Sequence, residues 1–171
     1  SARLAEEWES GAAPASSDVD AVPQKIVCLT FDDGPSYLTP QVLEILKQYG
    51  VRATFFVTGI DTQYAYCIAE ERAAGHTVGL HTYSHDYAQI YASEDAYYED
   101  LKKISDICVE QLGYIPRYIR FPGGSSNTAS AKYSPGLMTR LTQDVTERGY
   151  IYVDWNCSSG DGEGSLPPEE L

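Results

Sequence analysis

Four segments of the 171-residue chain bring together side chains that could do chemistry. Thr30-Phe31-Asp32-Asp33-Gly34-Pro35-Ser36 sets two adjacent carboxylates at the end of an apolar run. Like charges resist ionising side by side, so such a pair calls for a cation or an Arg; a helix-capping Asp in a tight turn is the plainer alternative. His81-Thr82-Tyr83-Ser84-His85 holds two of the three histidines, four apart. That spacing puts both on one face of a helical turn, the geometry with which H-E-x-x-H grips a metal, although a lone pair also arises by coincidence. With an Asp from another segment they make a two-histidine, one-carboxylate set with open positions, which favours a metal site. Arg120-Phe121-Pro122-Gly123-Gly124-Ser125 pairs a guanidinium with a loop whose bare backbone admits close approach of a ligand. Asp154-Trp155-Asn156 is the weakest of the four, since a packed Trp would look the same.

These segments need elements to position them. Residues 26–31 form a short apolar run stopped by Asp-Asp-Gly-Pro, the pattern of a strand buried on both faces. Residues 40–49 carry Val42, Ile45, Leu46 and Tyr49 at helical spacing before Gly50. Strands are expected at 53–57, 77–80, 118–121 and 151–155, and helices at 63–74, 93–112 and 135–148. Strand and helix alternate throughout, the grammar of a parallel sheet, and three of the chemistry-bearing segments directly follow strands. Ligand sites in α/β sheets and barrels are built at that carboxyl end. The fold class is therefore α/β, with closure into a barrel expected.

Composition narrows the function. Twelve basic against twenty-five acidic residues give a net charge of −13, which argues against a nucleic-acid partner. No apolar stretch approaches the roughly 20 residues that cross a bilayer. Cys28, Cys67, Cys108 and Cys157 form no C-x-x-C pair and are expected to be free, Cys28 acting as a small hydrophobe; a Cys67–Cys108 bridge is the alternative. Residues 1–24, rich in Ala, Ser, Pro and Asp, read as a leader or linker, and 25–171 as one domain.

Together and in this order, the four segments resemble the motifs of the polysaccharide deacetylase family (the NodB-homology domain, carbohydrate esterase family 4), from about residue 25 to residue 156. The resemblance implies a distorted (β/α) barrel, usually of seven strands, that hydrolyses acetyl groups on sugars. It implies Asp33, His81 and His85 as ligands of a divalent metal, Zn²⁺ first and Co²⁺ second, and Asp32 as general base. Arg120 matches the residue that orients that base. The loop of Pro122, Gly123 and Gly124 would bind substrate and offer backbone N–H to the oxyanion, with the two glycines leaving a roomy wall. Asp154 would support a general acid and Trp155 would line the acetyl pocket. One departure stands out: the family's final strand ending in an acid histidine has no counterpart here, because His76 lies ahead of the strand leading to His81. The domain is accordingly expected to be incomplete at its carboxyl end, lacking its last strand-helix unit.

The resemblance implies a secreted or surface-attached N-acetylglucosamine deacetylase acting on peptidoglycan or, second, chitin oligomers. A sugar-binding module of the same fold without turnover is the alternative, motivated by the missing acid. A non-haem Fe(II) oxygenase would share the ligand set, but the second Asp counts against it. Tyr83, Tyr87 and Tyr91 lie near the site and are expected to pack more than to stack on sugar.

Overall fold

A computed structural model of the protein describes residues 26–163. The proposed leader and the last eight residues lie outside them. The described residues run β1 (Leu29–Asp32), α1 (Thr39–Tyr49), β2 (Ala53–Val57), α2 (Tyr66–Ala73), β3 (Thr77–Leu80), α3 (Tyr87–Ile90), α4 (Glu94–Leu112), β4 (Tyr118–Ile119), α5 (Leu137–Glu147) and β5 (Ile151–Tyr152), with short 3₁₀ turns at 62–64, 129–132 and 161–163. The strands form one parallel sheet in sequential order, β1-β2-β3-β4-β5. Sequential parallel order with intervening helices is how a (β/α) barrel wall is laid down.

Local chemistry explains where the helices begin and end. Pro40 sits in the first turn of α1, where its missing N–H costs nothing, and Gly50 closes the helix through bonds to the Leu46 and Lys47 carbonyls. The Ser93 hydroxyl caps α4 by accepting from the Ala96 N–H, with Glu94 and Asp95 at the positive end of the helix dipole. The Asp86 carboxylate caps α3 through the N–H groups of Ala88 and Gln89.

Because side chains alternate across a strand, the sheet has two distinct faces. One face carries Phe55, Val57, Val78, Leu80, Ile119 and Phe121 into a core shared with Ile68 of α2, Tyr97, Leu101 and Ile104 of α4, and Leu141 and Val145 of α5. Each such fully buried side chain is worth about 1.5–3 kcal/mol. The register pairs Asp32 with Phe56 and Phe56 with Gly79 across the other face, and continuing the alternation past the strand ends places His81 and Arg120 there too. A Cβ at Gly79 would lie 2.6 Å from the Phe56 ring, so only glycine lets that ring lie flat at this point.

Four expectations are corrected. β1 starts at Leu29 and is only partly covered, and Ile26, Val27 and Cys28 are exposed, so the run is neither a six-residue strand nor buried on both faces. β4 and β5 each span two residues, and the expected helix over 63–74 divides into a 3₁₀ turn and α2. His81 and His85 do not share a helical turn: His81 follows β3, and His85 lies in a loop where Thr82 and His85 have φ of 70° and 53°. The four cysteines are free, with Cys67 and Cys108 buried.

Candidate active site

The site forms where β1, β3 and β4 end. Asp33 adopts φ 67°, a left-handed conformation that Asp tolerates better than most residues. The Thr58 side chain holds that turn by donating toward the carbonyls of Asp33 and Gly34, each at 3.2 Å, while the Thr58 N–H donates to Gly34 O at 2.6 Å. Asp33 Oδ1 lies 3.5 Å from His81 Nε2 and 3.4 Å from His85 Nε2. Donors at about 2.0–2.1 Å from a tetrahedral ion sit roughly 3.3–3.4 Å apart, so this set has the span of a metal site. All three donor atoms lie within 4.8 Å of one another.

His81 is prepared for ligation by its other nitrogen. Its Nδ1 lies 2.8 Å from the Arg120 carbonyl, and a carbonyl only accepts, so Nδ1 carries the proton and Nε2 presents a lone pair. Burial holds this imidazole below its ordinary pKa, partly offset by the charge of Asp32, which further favours the neutral ligand form.

Asp32 stands beside the donor set with its oxygens divided. Oδ1 accepts from Arg120 Nη1 at 2.8 Å, whereas Oδ2 lies 3.9 Å from His81 Nε2. Arg120 is buried and fixed on every side: Nη1 also donates to Thr30 Oγ1 (2.8 Å), Nε to Val153 O (3.0 Å) and Nη2 to Asp154 O (3.2 Å). Its guanidinium carbon lies 4.2 Å from the centroid of the Phe56 ring. The space at Gly79 thus supports Phe56, and Phe56 supports the cation that orients Asp32.

The Pro122-Gly123-Gly124 loop closes one side. Its expected roominess is corrected: a Cβ at Gly123 would meet the Tyr87 hydroxyl at 2.7 Å, and one at Gly124 the Trp155 ring and Asp154 Oδ1 at 3.4–3.5 Å. The Gly124 N–H donates to Phe121 O and the Ser125 N–H to Asp154 Oδ1. Pro122 has no N–H, which leaves Gly123 N–H as the loop donor without an acceptor among the described residues. The Asp154 carboxylate also accepts from the Ser125 hydroxyl, and Trp155 is exposed beside Arg120. Tyr91 is buried and donates to Pro122 O at 2.7 Å, and Tyr87 packs edge-on between Tyr91 and His85, so both tyrosines build the wall. His76 sits at the opposite end of β3, where its Nδ1 accepts from the Ala53 N–H.

The sequence reading missed Phe56, Thr58, Gln89 and Asp100, and gave Thr30 no role of its own. Asp100 could have been found, because it interrupts the apolar face formed by Tyr97, Leu101 and Ile104.

A donor set with the span to hold a cation, a carboxylate held by a buried guanidinium and a loop amide together suit hydrolysis of an acyl group, and the fold is a parallel α/β barrel wall. The family profile "Polysaccharide deacetylase" matches residues 20–137, and the chain belongs to this family. A peptidoglycan-N-acetylglucosamine deacetylase of Bacillus cereus is 33% identical over 148 residues, covering 86% of this chain and 51% of that protein. A chitin deacetylase of Colletotrichum lindemuthianum is 34% identical, covering 83% and 55%. Among solved structures, the catalytic domain of peptidoglycan N-acetylglucosamine deacetylase from Eubacterium rectale superposes with a TM-score of 0.85 at 49% identity, covering 91% of this chain and 71% of that one. The chain spans about half the length of those two curated relatives.

Proposed function

We propose that residues 25–171 belong to a metal-dependent deacetylase that removes N-acetyl groups from N-acetylglucosamine residues of peptidoglycan. The observation that carries this reading is the Asp33–His81–His85 donor set lying beside a carboxylate whose one oxygen is held by Arg120. The choice of polymer draws on the relatives at 33% and 49% identity, whose substrate is peptidoglycan. Such a substrate lies outside the cytoplasmic membrane, which makes the protein secreted or surface-attached. Among the described residues no helix is long and apolar enough to cross a membrane.

Asp33, His81 and His85 would hold the ion, with Zn²⁺ the expected metal and Co²⁺ a working substitute. The bound ion supplies Lewis acidity toward the acetyl carbonyl and makes water a better nucleophile near neutral pH. Asp32 receives the proton of the attacking water at Oδ2, because Oδ1 is occupied by Arg120. Arg120 fixes the direction of that oxygen. Gly123 N–H donates to the oxygen that becomes negative as water adds to the carbonyl carbon. Asp154 holds the loop carrying that donor through Ser125, and Trp155 forms the outer wall of the acetyl pocket. Breaking the C–N bond, with the proton that Asp32 took from water passed to the departing nitrogen, gives acetate and a free sugar amine.

The test is acetate release by the intact protein from peptidoglycan and from N-acetylglucosamine oligomers, with chelator and with Zn²⁺ restored. Release from peptidoglycan that chelator abolishes and Zn²⁺ recovers is expected. Release confined to chitin-type oligomers changes the polymer, and release insensitive to chelator removes the metal from the reaction. Sugar binding with no acetate would make the chain a binding module instead.

A further inference from the structure

His85 has weaker support from regular structure than His81. The His81 N–H is bonded to Val57 O as an extension of the sheet, and its ring is fixed by Arg120 O. His85 follows an irregular loop in which Thr82, a β-branched residue, holds φ 70°. That conformation is strained, and such strain persists only where neighbouring contacts over-determine it. Here three consecutive backbone donors are all taken by side-chain oxygens. The Tyr83 N–H donates to Asp100 Oδ1 at 2.6 Å, the Ser84 N–H to the same oxygen at 3.1 Å, and the His85 N–H to Thr82 Oγ1 at 3.3 Å. Asp100 Oδ2 accepts from Gln89 Nε2 at 3.1 Å, which ties in α3, the helix directly after the loop. Asp100 is fully buried on α4.

We propose that Asp100 is a positioning residue for the metal site: by accepting the Tyr83 and Ser84 N–H groups it holds the strained loop that sets His85 against His81 and Asp33. The proposal rests on reading those three residues as the cation site. Asp100 touches none of the donor atoms and acts entirely through the loop backbone. Groups of this kind, one step removed from the ligands, typically change metal affinity by about 10- to 100-fold when lost.

The experiment is Co²⁺ and Zn²⁺ titration of the intact protein against a competing chelator, with the visible absorption of the Co²⁺ form and the thermal midpoint recorded alongside. Asp100→Ala is expected to weaken both metals about 10- to 100-fold and to alter the Co²⁺ bands. Asp100→Asn keeps an acceptor oxygen and should lose about fivefold or less. Ile104→Ala, a core truncation on the same helix, should lower the midpoint while leaving affinity and spectrum at the wild-type values. Folded Asp100→Ala with wild-type affinity and bands overturns the proposal, as does an equal loss of affinity in Ile104→Ala. If Asp100→Ala does not fold, Gln89→Ala decides: about two- to fivefold weaker Co²⁺ binding supports the role, and unchanged binding overturns it. Wild-type protein that binds neither metal removes the cation site itself and this role with it, an outcome distinct from the others.

Discussion

Asp100 and Glu71 are both carboxyl side chains fully buried on the apolar face of a helix, yet their surroundings are opposite. Asp100 accepts three hydrogen bonds, two from the backbone of the histidine loop and one from Gln89. Among the described residues Glu71 has no hydrogen-bond partner for either oxygen, and burial pushes its pKa up from 4.5 to about 8. The difference follows from what each helix faces. α4 lies under an irregular loop whose N–H groups have no ladder to join, so a carboxylate there meets donors already in need of an acceptor. Around Glu71, α2 packs against α4 and β3, elements whose backbone donors are bonded within their own helix or sheet. Irregular backbone at the strand ends thus makes buried charge tolerable, and it does so where the site is built.

Three further substitutions sharpen or break this contrast. The largest effect is expected from Asp32→Asn, which keeps the shape and an acceptor for Arg120 but removes the base. Its kcat should fall about 10²- to 10⁴-fold with metal affinity nearly unchanged, read by acetate release and chelator competition. Normal turnover would mean that Asp32 is not the base. Asp154→Ala tests the same logic at an exposed carboxylate that holds a loop through Ser125. We expect kcat/KM to drop about tenfold, roughly one hydrogen bond to a charged acceptor, with Zn²⁺ affinity intact. The smallest catalytic effect belongs to Glu71→Gln, which should leave kcat alone and change only the pH dependence of stability. Glu71 stays protonated in the native state up to about pH 8 but ionises near 4.5 when unfolded, so unfolding releases a proton and native stability falls as pH rises between those values. The substitution removes that slope. Relative to wild type its stability should rise by on the order of 2–4 kcal/mol from pH 4.5 to 8, measured by urea unfolding at several pH values. A change in kcat at a pH where both are folded would show that the two regions are coupled.

The same pair shows how far sequence can be read. A charge interrupting an apolar stripe marks both residues, Asp100 among Tyr97, Leu101 and Ile104 and Glu71 beside Cys67 and Ile68. The pattern reveals burial but not whether donors wait on the other side, because those come from residues distant in sequence. The βα alternation and the four strand-end segments were legible because each rests on local composition: Asp33, His81 and His85 do converge, and Arg120 does meet Asp32. The histidine loop was misread as helical because a four-residue spacing carries no information about φ at Thr82. β1 was placed too early because an apolar run does not report whether a neighbour covers it, and Ile26 and Val27 stay exposed. The roominess assigned to Gly123 failed for a related reason, since the Tyr87 hydroxyl that fills the space comes from another element.

The bond between Arg120 and Asp32 joins positions 88 residues apart in the chain. A polypeptide emerging amino end first therefore exposes Asp33, His81 and His85 well before the guanidinium is synthesised. The strands that carry the donor set, β1 and β3, both flank β2 and can associate while β4 is still absent. Assembly of the Asp33–His81–His85 donor set and orientation of Asp32 by Arg120 are thus separable in chain order, the first dependent on shorter loop closures than the second. Asp32 is oriented only with the later event, when β4 docks and the arginine that follows it reaches the first strand.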